Sequence, residues 1–532
     1  MQEYRKSQLK GDNFGQAIKH TTFYYLKRMV FSGMFVTALL VLSQIALMIV
    51  MFAWLSNYAH FYFEGSALLC AVCIIIIMNE DSNPAYKMTW IVPVALFPIV
   101  GSLMYLYVKY NTGTRAPKKT LKQIIKKTKG YTYTGKNVKE EIKNLPTSFQ
   151  KLSYYLEETG GFATYKDTAT NYYSLGDDAM EDILSCLKEA KEYIFMEFFM
   201  VEEGIFYNSV LEILEQKVKE GVEVRFMYDD IGCALLLPRN YPKKLREKGI
   251  HVRTFAHIKP FFSTHYNNRD HRKIIVVDGK VAITGGINLC DEYVNVYEKF
   301  GHWKDNVLIM RGSAVAGFTM LFLQMWHASN YETDAEYAKF LRKNPEKEGT
   351  TGYVIPYGDG PYQKDCLAEH VYMDIINHAK KYVYIMTPYL ILDHELVLAI
   401  SHAARCGVDV RIILPHIPDK KVPFAIARSY YEELLAVGVK IYEYKPGFIH
   451  SKTFLSDDII GTVGSINLDY RSLYLHYECG AILYQNDALK DIRKDFEETF
   501  KKSIEVDLTY YKSIPVLKRF WGRVLRIFGP LM

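Results

Sequence analysis

Three stretches of this chain return about 190 residues further on, and that duplication limits the possible folds more than any other feature. Ala190-Lys-Glu-Tyr-Ile-Phe-Met-Glu197 is echoed by Ala379-Lys-Lys-Tyr-Val-Tyr-Ile-Met386. Gly221-Val-Glu-Val-Arg-Phe-Met227 returns as Gly407-Val-Asp-Val-Arg-Ile-Ile413, and Gly249-Ile-His-Val252 as Gly438-Val-Lys-Ile441, at offsets of 189, 186 and 189 residues. From about Asn171 onward, short β-rich runs alternate with helical periodicity, which is the pattern of α/β architecture. A repeat with constant spacing across such a pattern predicts two homologous α/β halves, 161–335 and 350–507, joined by the polar stretch from Glu332 to Thr351.

Each half carries the same short constellation. The first has His271-Arg-Lys273-Ile-Ile-Val-Val-Asp278 followed by Gly285-Gly286-Ile-Asn288; the second has His450-Ser-Lys452-Thr-Phe-Leu-Ser-Asp457 followed by Gly464-Ser465-Ile-Asn467. One such His-x-Lys-x₄-Asp string is a weak signal, and an exposed strand with incidental polar residues would produce it. Two copies, each with Gly-[Gly/Ser]-x-Asn at the same distance and each at the same place in a repeat, are a strong one.

In an extended strand, residues two apart share a face, so His and Lys can reach one phosphate while the intervening residue points away. The glycines allow close backbone approach, and the Asn288 and Asn467 amides and the Ser465 hydroxyl can donate to phosphate oxygens. If the halves face each other about a pseudo-twofold axis, His271, Lys273, His450 and Lys452 converge. One histidine can then attack phosphorus while the other protonates the departing alcohol and later deprotonates the incoming one. The lysines supply the positive charge that metal ions supply elsewhere, so neither a metal nor another cofactor is required.

Composition adds the membrane. Hydrophobic residues are 49% of the 532 and charged residues 23%, an ordinary balance, yet the apolar residues crowd into the first 110 positions. Phe31 to Leu55 is charge-free and long enough as a helix to cross a bilayer. Met88 to Val108 is a second such span, carrying Pro93 and Pro98, whereas Ser66 to Met78 is short unless the run is extended back through Glu64. Basic residues flank both ends, Lys19, Lys27 and Arg28 before and Lys109 to Lys129 after. Both flanks therefore favour the cytoplasmic side, as does the catalytic part. The expected organisation is a multi-pass anchor in 1–110, a basic linker in 111–160, the two halves, and a basic amphipathic segment in 508–532. In the last, Lys518, Arg519, Arg523 and Arg526 alternate with Leu517, Phe520, Trp521 and Leu525, which predicts an interfacial helix on anionic lipid. The stretch Lys118 to Lys129, with Leu121, Ile124 and Ile125, reads either as a second surface-lying helix or as a solvated linker.

The motifs resemble those of the phospholipase D superfamily, and nearly the whole chain resembles its bacterial cardiolipin synthases. Asn83-Pro-Ala-Tyr-Lys87 with Trp90 is similar to the family's N-terminal region, and Asn467-x-Asp469-x-Arg471-Ser472 to the sequence after its second motif. The resemblance implies a nucleophile at His271, an acid/base at His450, and acidic partners for the imidazoles at Asp305 and Glu478. It also implies that Asp278 and Asp457, although part of the motif, are more structural than catalytic. The chain departs from the family at Lys304, where arginine is usual, and at His476, where asparagine is usual.

The reaction that the resemblance implies is transfer of a phosphatidyl group between two phosphatidylglycerol molecules, giving cardiolipin and glycerol. The motifs do not separate transfer from phospholipase D hydrolysis or from synthesis of another phosphatidyl alcohol. A nuclease would not need spanning helices, and the modest net charge of +6, clustered beside the apolar segments, does not favour nucleic acid. A membrane scaffold with a decayed site is opposed by two complete motifs. The eight cysteines show neither a disulfide framework nor zinc-knuckle spacing, and His251, His257 and His265 lack metal-ligand spacing.

Overall fold

The computed structural model describes residues 42–46, 49–50, 59–110, 115–255, 268–333, 336–342, 350–363 and 365–531. These fall into two compact units, one ending before Thr112 and one following it.

In the first unit, a 20-residue helix spans Ala59–Met78. Within it, His60–Met78 is the one helix among the described residues long and apolar enough to cross a membrane. This is the segment whose sequence looked too short; the helix runs back through Glu64 and so reaches spanning length. The single helix expected over Met88 to Val108 is instead two, Pro84–Leu96 and Pro98–Tyr110. Pro98 cannot donate to the helical ladder and its ring disfavours helical backbone at Phe97, which sits at φ −129° and ψ 73°. Of the expected span Phe31 to Leu55, only 42–46 and 49–50 are described, and both are helical; the rest lies outside the described residues.

The second unit holds the repeat. The first half forms a seven-stranded sheet from β1 (Thr168–Tyr173), β2 (Tyr193–Phe198), β3 (Glu223–Asp229), β4 (His251–Phe255), β5 (Ile274–Val277), β6 (Val281–Gly285) and β8 (Val307–Gly312), while β7 (His302–Lys304) stands apart. The second half forms an eight-stranded sheet from β9 (Tyr353–Asp359), β10 (Tyr382–Met386), β11 (Asp409–Pro415), β12 (Lys440–Tyr444), β14 (Thr453–Ser456), β15 (Ile460–Gly464), β16 (Glu478–Tyr484) and β17 (Ser503–Val506), with β13 (Gly447–Ile449) outside it. The orders β1-β8-β6-β5-β2-β3-β4 and β9-β16-β15-β14-β10-β11-β12-β17 are the same apart from the added edge strand. In each, three strands run parallel and the remainder pair antiparallel. β5 and β14 are buried on both faces; β5 accordingly reads as a continuous apolar run, whereas β14 buries Phe454 and Leu455 between Thr453 and Ser456.

The halves share one core. The helix Val315–Ala328 that closes the first half contacts β9, and the helix Ala488–Lys501 of the second contacts β1. Phe195, Ile274, Met310 and Phe322 join Tyr384, Met386, Leu455 and Phe496 in a single apolar cluster.

The stretch expected to be a basic linker is helical, with segments Arg115–Thr128, Lys136–Ile142 and Thr147–Tyr155. Leu121 and Ile124 are buried in the shared core beside Val315–Ala328, so the apolar face of the first of these helices is committed to protein and not to a bilayer. His251 opens β4 at an exposed position, and His257 and His265 lie outside the described residues.

Candidate active site

Each His-x-Lys tripeptide lies in extended backbone just before its apolar strand, β5 or β14, and is zipped to the other half. The His271 N–H donates to the Tyr477 carbonyl at 2.9 Å, and the Tyr477 N–H to the Arg269 carbonyl at 2.7 Å. The His450 N–H donates to the Lys304 carbonyl at 2.7 Å, continuing the parallel pairing of β7 with β13. The residue after Tyr477 is Glu478 and the residue after Lys304 is Asp305. This backbone register therefore delivers one carboxylate from each half to the imidazole of the other.

The contacts follow. His271 Nδ1 lies 2.9 and 3.0 Å from the two Glu478 carboxylate oxygens, and His450 Nδ1 lies 2.5 Å from Asp305 Oδ2. A carboxylate can only accept, so each Nδ1 carries the proton and each Nε2 keeps a lone pair. The ammonium of Lys273 donates to the His271 carbonyl at 2.6 Å, and that of Lys452 to the His450 carbonyl, with its Nζ 2.8 Å from His450 Nδ1. All four side chains are buried, as are Asp305 and Glu478.

Burial and proximity set the charges. Burial first, then the charges of Lys273, Lys452, His450 and Lys420, hold His271 well below its ordinary value. Burial and the Lys452 ammonium push His450 down to about 4, against an upward pull from Asp305. Burial lowers Lys273 to about 8 and, together with the Lys273 charge, Lys452 to about 7. For Asp305, burial alone would raise the carboxyl; His450 and Lys452 outweigh it and the value is lowered. The result is two neutral imidazoles with free Nε2 atoms beside two cations, a setting built to receive an anion.

Asp278 and Asp457 stand elsewhere. Seven residues of extended chain separate each from its histidine, about 23 Å at the strand rise. Asp278 sits in the turn after β5 at φ 52° and accepts the N–H groups of Lys191, Glu192 and Tyr193, all at 2.8 Å. Asp457, at φ 55°, accepts those of Lys380, Lys381 and Tyr382 at 2.7, 2.8 and 2.9 Å. Each carboxylate fastens the loop that enters the neighbouring strand, β2 or β10.

The three residues expected to bind phosphate are all buried, but they differ in what they have to offer. Asn288 is spent on protein, accepting from the Met200 N–H at 3.1 Å and donating to the Tyr293 hydroxyl at 2.8 Å. Ser465 donates to Glu478 and receives the Cys479 N–H at 3.1 Å, so it steadies the carboxylate that steadies His271. Asn467 has a buried side-chain oxygen without a partner among the described residues, and it is the member of the set most open to a ligand. Gly286, the counterpart of Ser465, has no room for a side chain, since a Cβ there would lie 1.9 Å from Asp305 Oδ1.

Several neighbours were not legible as site residues. Phe199 meets His271 edge-on with ring centroids 5.0 Å apart, and Tyr293 meets His450 likewise at 5.3 Å. Arg272, between the motif's His and Lys, turns into the core to Glu197 and Asp270. Lys304 is buried in an ion pair with Asp495 at 2.5 Å, away from the imidazoles. His476 lies 3.7 Å from Glu478 Oε1 with its ring 5.7 Å from that of His271, and neither of its ring nitrogens has a hydrogen-bond partner among the described residues. His271, His476 and Glu478 could together present metal-ligating atoms, as could Glu202, Cys290 and Glu292, or Glu369, Asp393 and Glu395. In the first group, however, the shared donors are already those that orient His271.

Residues 183–326 and 372–500 match the family described as cardiolipin synthase, PLD-like domain, and residues 67–109 match the phospholipase D-nuclease N-terminal family. The chain belongs to the cardiolipin synthase family. A cardiolipin synthase of Alkalihalophilus pseudofirmus is 33% identical over 86% of this chain and 91% of its own length. Cardiolipin synthase 2 of Bacillus anthracis is 34% identical over 88% of this chain and 91% of its own. An uncharacterised protein of Streptococcus mutans is 45% identical over 86% of this chain and 99% of its own. The crystal structure of phosphatidylserine synthase from Haemophilus influenzae has the same fold, with TM-score 0.54 and 16% identity over 72% of this chain and 98% of that one. In this member of the cardiolipin synthase family, the crossed pairs Glu478–His271 and Asp305–His450 tie the two halves into one site.

Proposed function

We propose that the chain transfers a phosphatidyl group from one phosphatidylglycerol to the free glycerol hydroxyl of another, yielding cardiolipin and glycerol. The observation that carries this reading is the crossed pairing of each imidazole with a carboxylate of the opposite half, which presents two Nε2 atoms and two lysines to one phosphodiester. His271 Nε2 attacks phosphorus, the bond from phosphorus to the departing glycerol oxygen breaks, and His450 protonates that oxygen. His450 then takes the proton of the incoming hydroxyl, the new P–O bond forms, and the bond to His271 breaks. Lys273 and Lys452 offset the charge of the five-coordinate phosphorus, and the amide N–H of Asn467 donates to its oxygens.

The assignment of roles follows the family resemblance. Burial and the neighbouring cations hold His271 in its neutral, nucleophilic form. His450 is also neutral before substrate binds, at about 4, so the proton it delivers is one that Nε2 takes from solvent when the anionic phosphodiester binds, while Asp305 accepts from Nδ1. A buried site also keeps water from competing with a lipid alcohol for the intermediate.

Purified protein given labelled phosphatidylglycerol should release cardiolipin and free glycerol; phosphatidic acid as the dominant product would establish a hydrolase instead. His271→Ala and His450→Ala should each abolish transfer, and near-normal turnover in either is incompatible with the two-histidine scheme. The basic residues on both flanks of the apolar region support a multi-pass anchor with the catalytic part on the cytoplasmic side. A tag near Gly130 that is cleaved by protease added outside the cell would overturn that orientation.

A further inference from the structure

The helix Val516–Arg526 presents an apolar face that the described residues of the catalytic unit leave exposed. Gly522 is its inward residue, so close to the helix Lys421–Ser429 that a Cβ would lie 2.6 Å from the Ala425 carbonyl oxygen. Arg523 pairs with Glu432, and Arg526 pairs with Glu433 at 2.8 Å while stacking on Tyr430 at 3.7 Å. These contacts fix the rotation of the helix. Leu517, Phe520 and Trp521, at i, i+3 and i+4, are left outward with 67, 55 and 53% of their surfaces exposed, beside exposed Val516 and Ile527. From Leu508 to Leu531 there are five lysines and arginines and no acidic residue. After Arg523 and Arg526 are matched by Glu432 and Glu433, the segment keeps an excess of positive charge.

The same segment is fastened to the active site. Gly529 lies against Ile391, and Arg471 donates to the Leu531 carbonyl at 3.5 Å. Ile391 in turn donates its N–H to Leu468, the neighbour of Asn467. The helix Lys421–Ser429 begins next to Lys420, which donates to the Tyr389 hydroxyl at 3.0 Å and whose charge reaches His271. Ile417 and Val422, on this approach, are themselves partly exposed.

We propose that this face is a second membrane contact, separate from the N-terminal anchor. Leu517, Phe520 and Trp521 enter the acyl boundary of an anionic bilayer while Lys518 and Arg519 meet its headgroups, and the rigid coupling to Lys420 and Asn467 holds the catalytic mouth at headgroup level. Aromatic rings at the boundary and cations against anionic headgroups are the chemistry that an interfacial helix uses. The proposal rests on the reading that the substrate is a membrane lipid, and its test has one arm independent of turnover.

The full chain and its Trp521→Phe variant are placed in phosphatidylcholine vesicles containing phosphatidylglycerol, with and without brominated acyl chains. The difference between the two proteins isolates Trp521, whose emission should fall about twofold with bromine. Emission indifferent to bromine overturns the proposal, and a change that follows protein concentration instead assigns the face to a second copy of the chain. In the activity arm, Phe520→Ser/Trp521→Ser should lower transfer on vesicles about tenfold and leave turnover of a monomeric short-chain phosphatidylglycerol within about twofold. Equal loss on both substrates, or a lowered melting temperature, would mean that the two rings serve the fold and would refute the proposed docking.

Discussion

In the Asp278→Ala variant, three backbone N–H groups lose the carboxylate that now accepts them, each at 2.8 Å. Lys191 and Glu192 are exposed and water can replace the carboxylate there, but the Tyr193 N–H is buried and would be left without an acceptor. A buried unsatisfied donor costs about 1–3 kcal/mol and each partly hydrated one about 0.5–1 kcal/mol. Alanine must also hold the left-handed backbone that aspartate tolerates here, at φ 52°, for roughly another 1 kcal/mol. The sum is about 4 kcal/mol, which for a unit running from Thr112 to the C-terminus, at about 2.1 cal/mol/K per residue, lowers Tm by roughly 5 °C. Asp278→Asn keeps an acceptor and the left-handed preference, and should recover more than half of the loss. The measurement is thermal unfolding in detergent micelles, followed by fluorescence, with transfer activity assayed well below the transition. Folded Asp278→Ala protein should turn over within a few-fold of the parent. A variant that melts like the parent but has lost activity a hundredfold would place Asp278 in the chemistry and refute this account of the motif's third residue.

Other outcomes follow from the site. Glu478→Gln removes the charge that orients His271 and should reduce kcat about a hundredfold with little change in KM; an unaltered kcat would show that Ser465 and the backbone register suffice to hold the ring. As pH rises, Lys452 and Lys273, lowered to about 7 and 8, lose the protons that bind phosphate, so kcat/KM should decline from near pH 7 upward. As pH falls, the nucleophile His271 stays neutral until well below its ordinary value, so the acid limb should lie well below pH 6.5; a limb at 6.5 would contradict the burial of His271. His476→Ala deletes a buried imidazole whose nitrogens have no hydrogen-bond partner among the described residues, and should raise KM for the lipid more than it lowers kcat. An equal fall in kcat alone would make it a support for Glu478 instead.

The two-half α/β architecture, the strands, the paired motifs and the apolar N-terminal region were legible in the chain, because each leaves a periodic or repeated trace: apolar runs of strand length, glycine-punctuated turns, and the same tripeptide at the same point of a duplicated unit. What needed the tertiary structure is aperiodic. Nothing local to His271 says that its acid is Glu478, 207 residues away, or that Asp305 serves His450 across 145. The exchange arises because Tyr477 and Lys304 pair with the backbone of the opposite half, a register set by the shared core. The same holds for Asn288, whose amide is spent on Met200 and Tyr293, and for Lys304, drawn to Asp495. It holds also for the basic helix Arg115–Thr128, whose apolar face meets the Val315–Ala328 helix and not lipid. A residue's type declares what it can bond; only the fold decides which of its possible partners comes within reach.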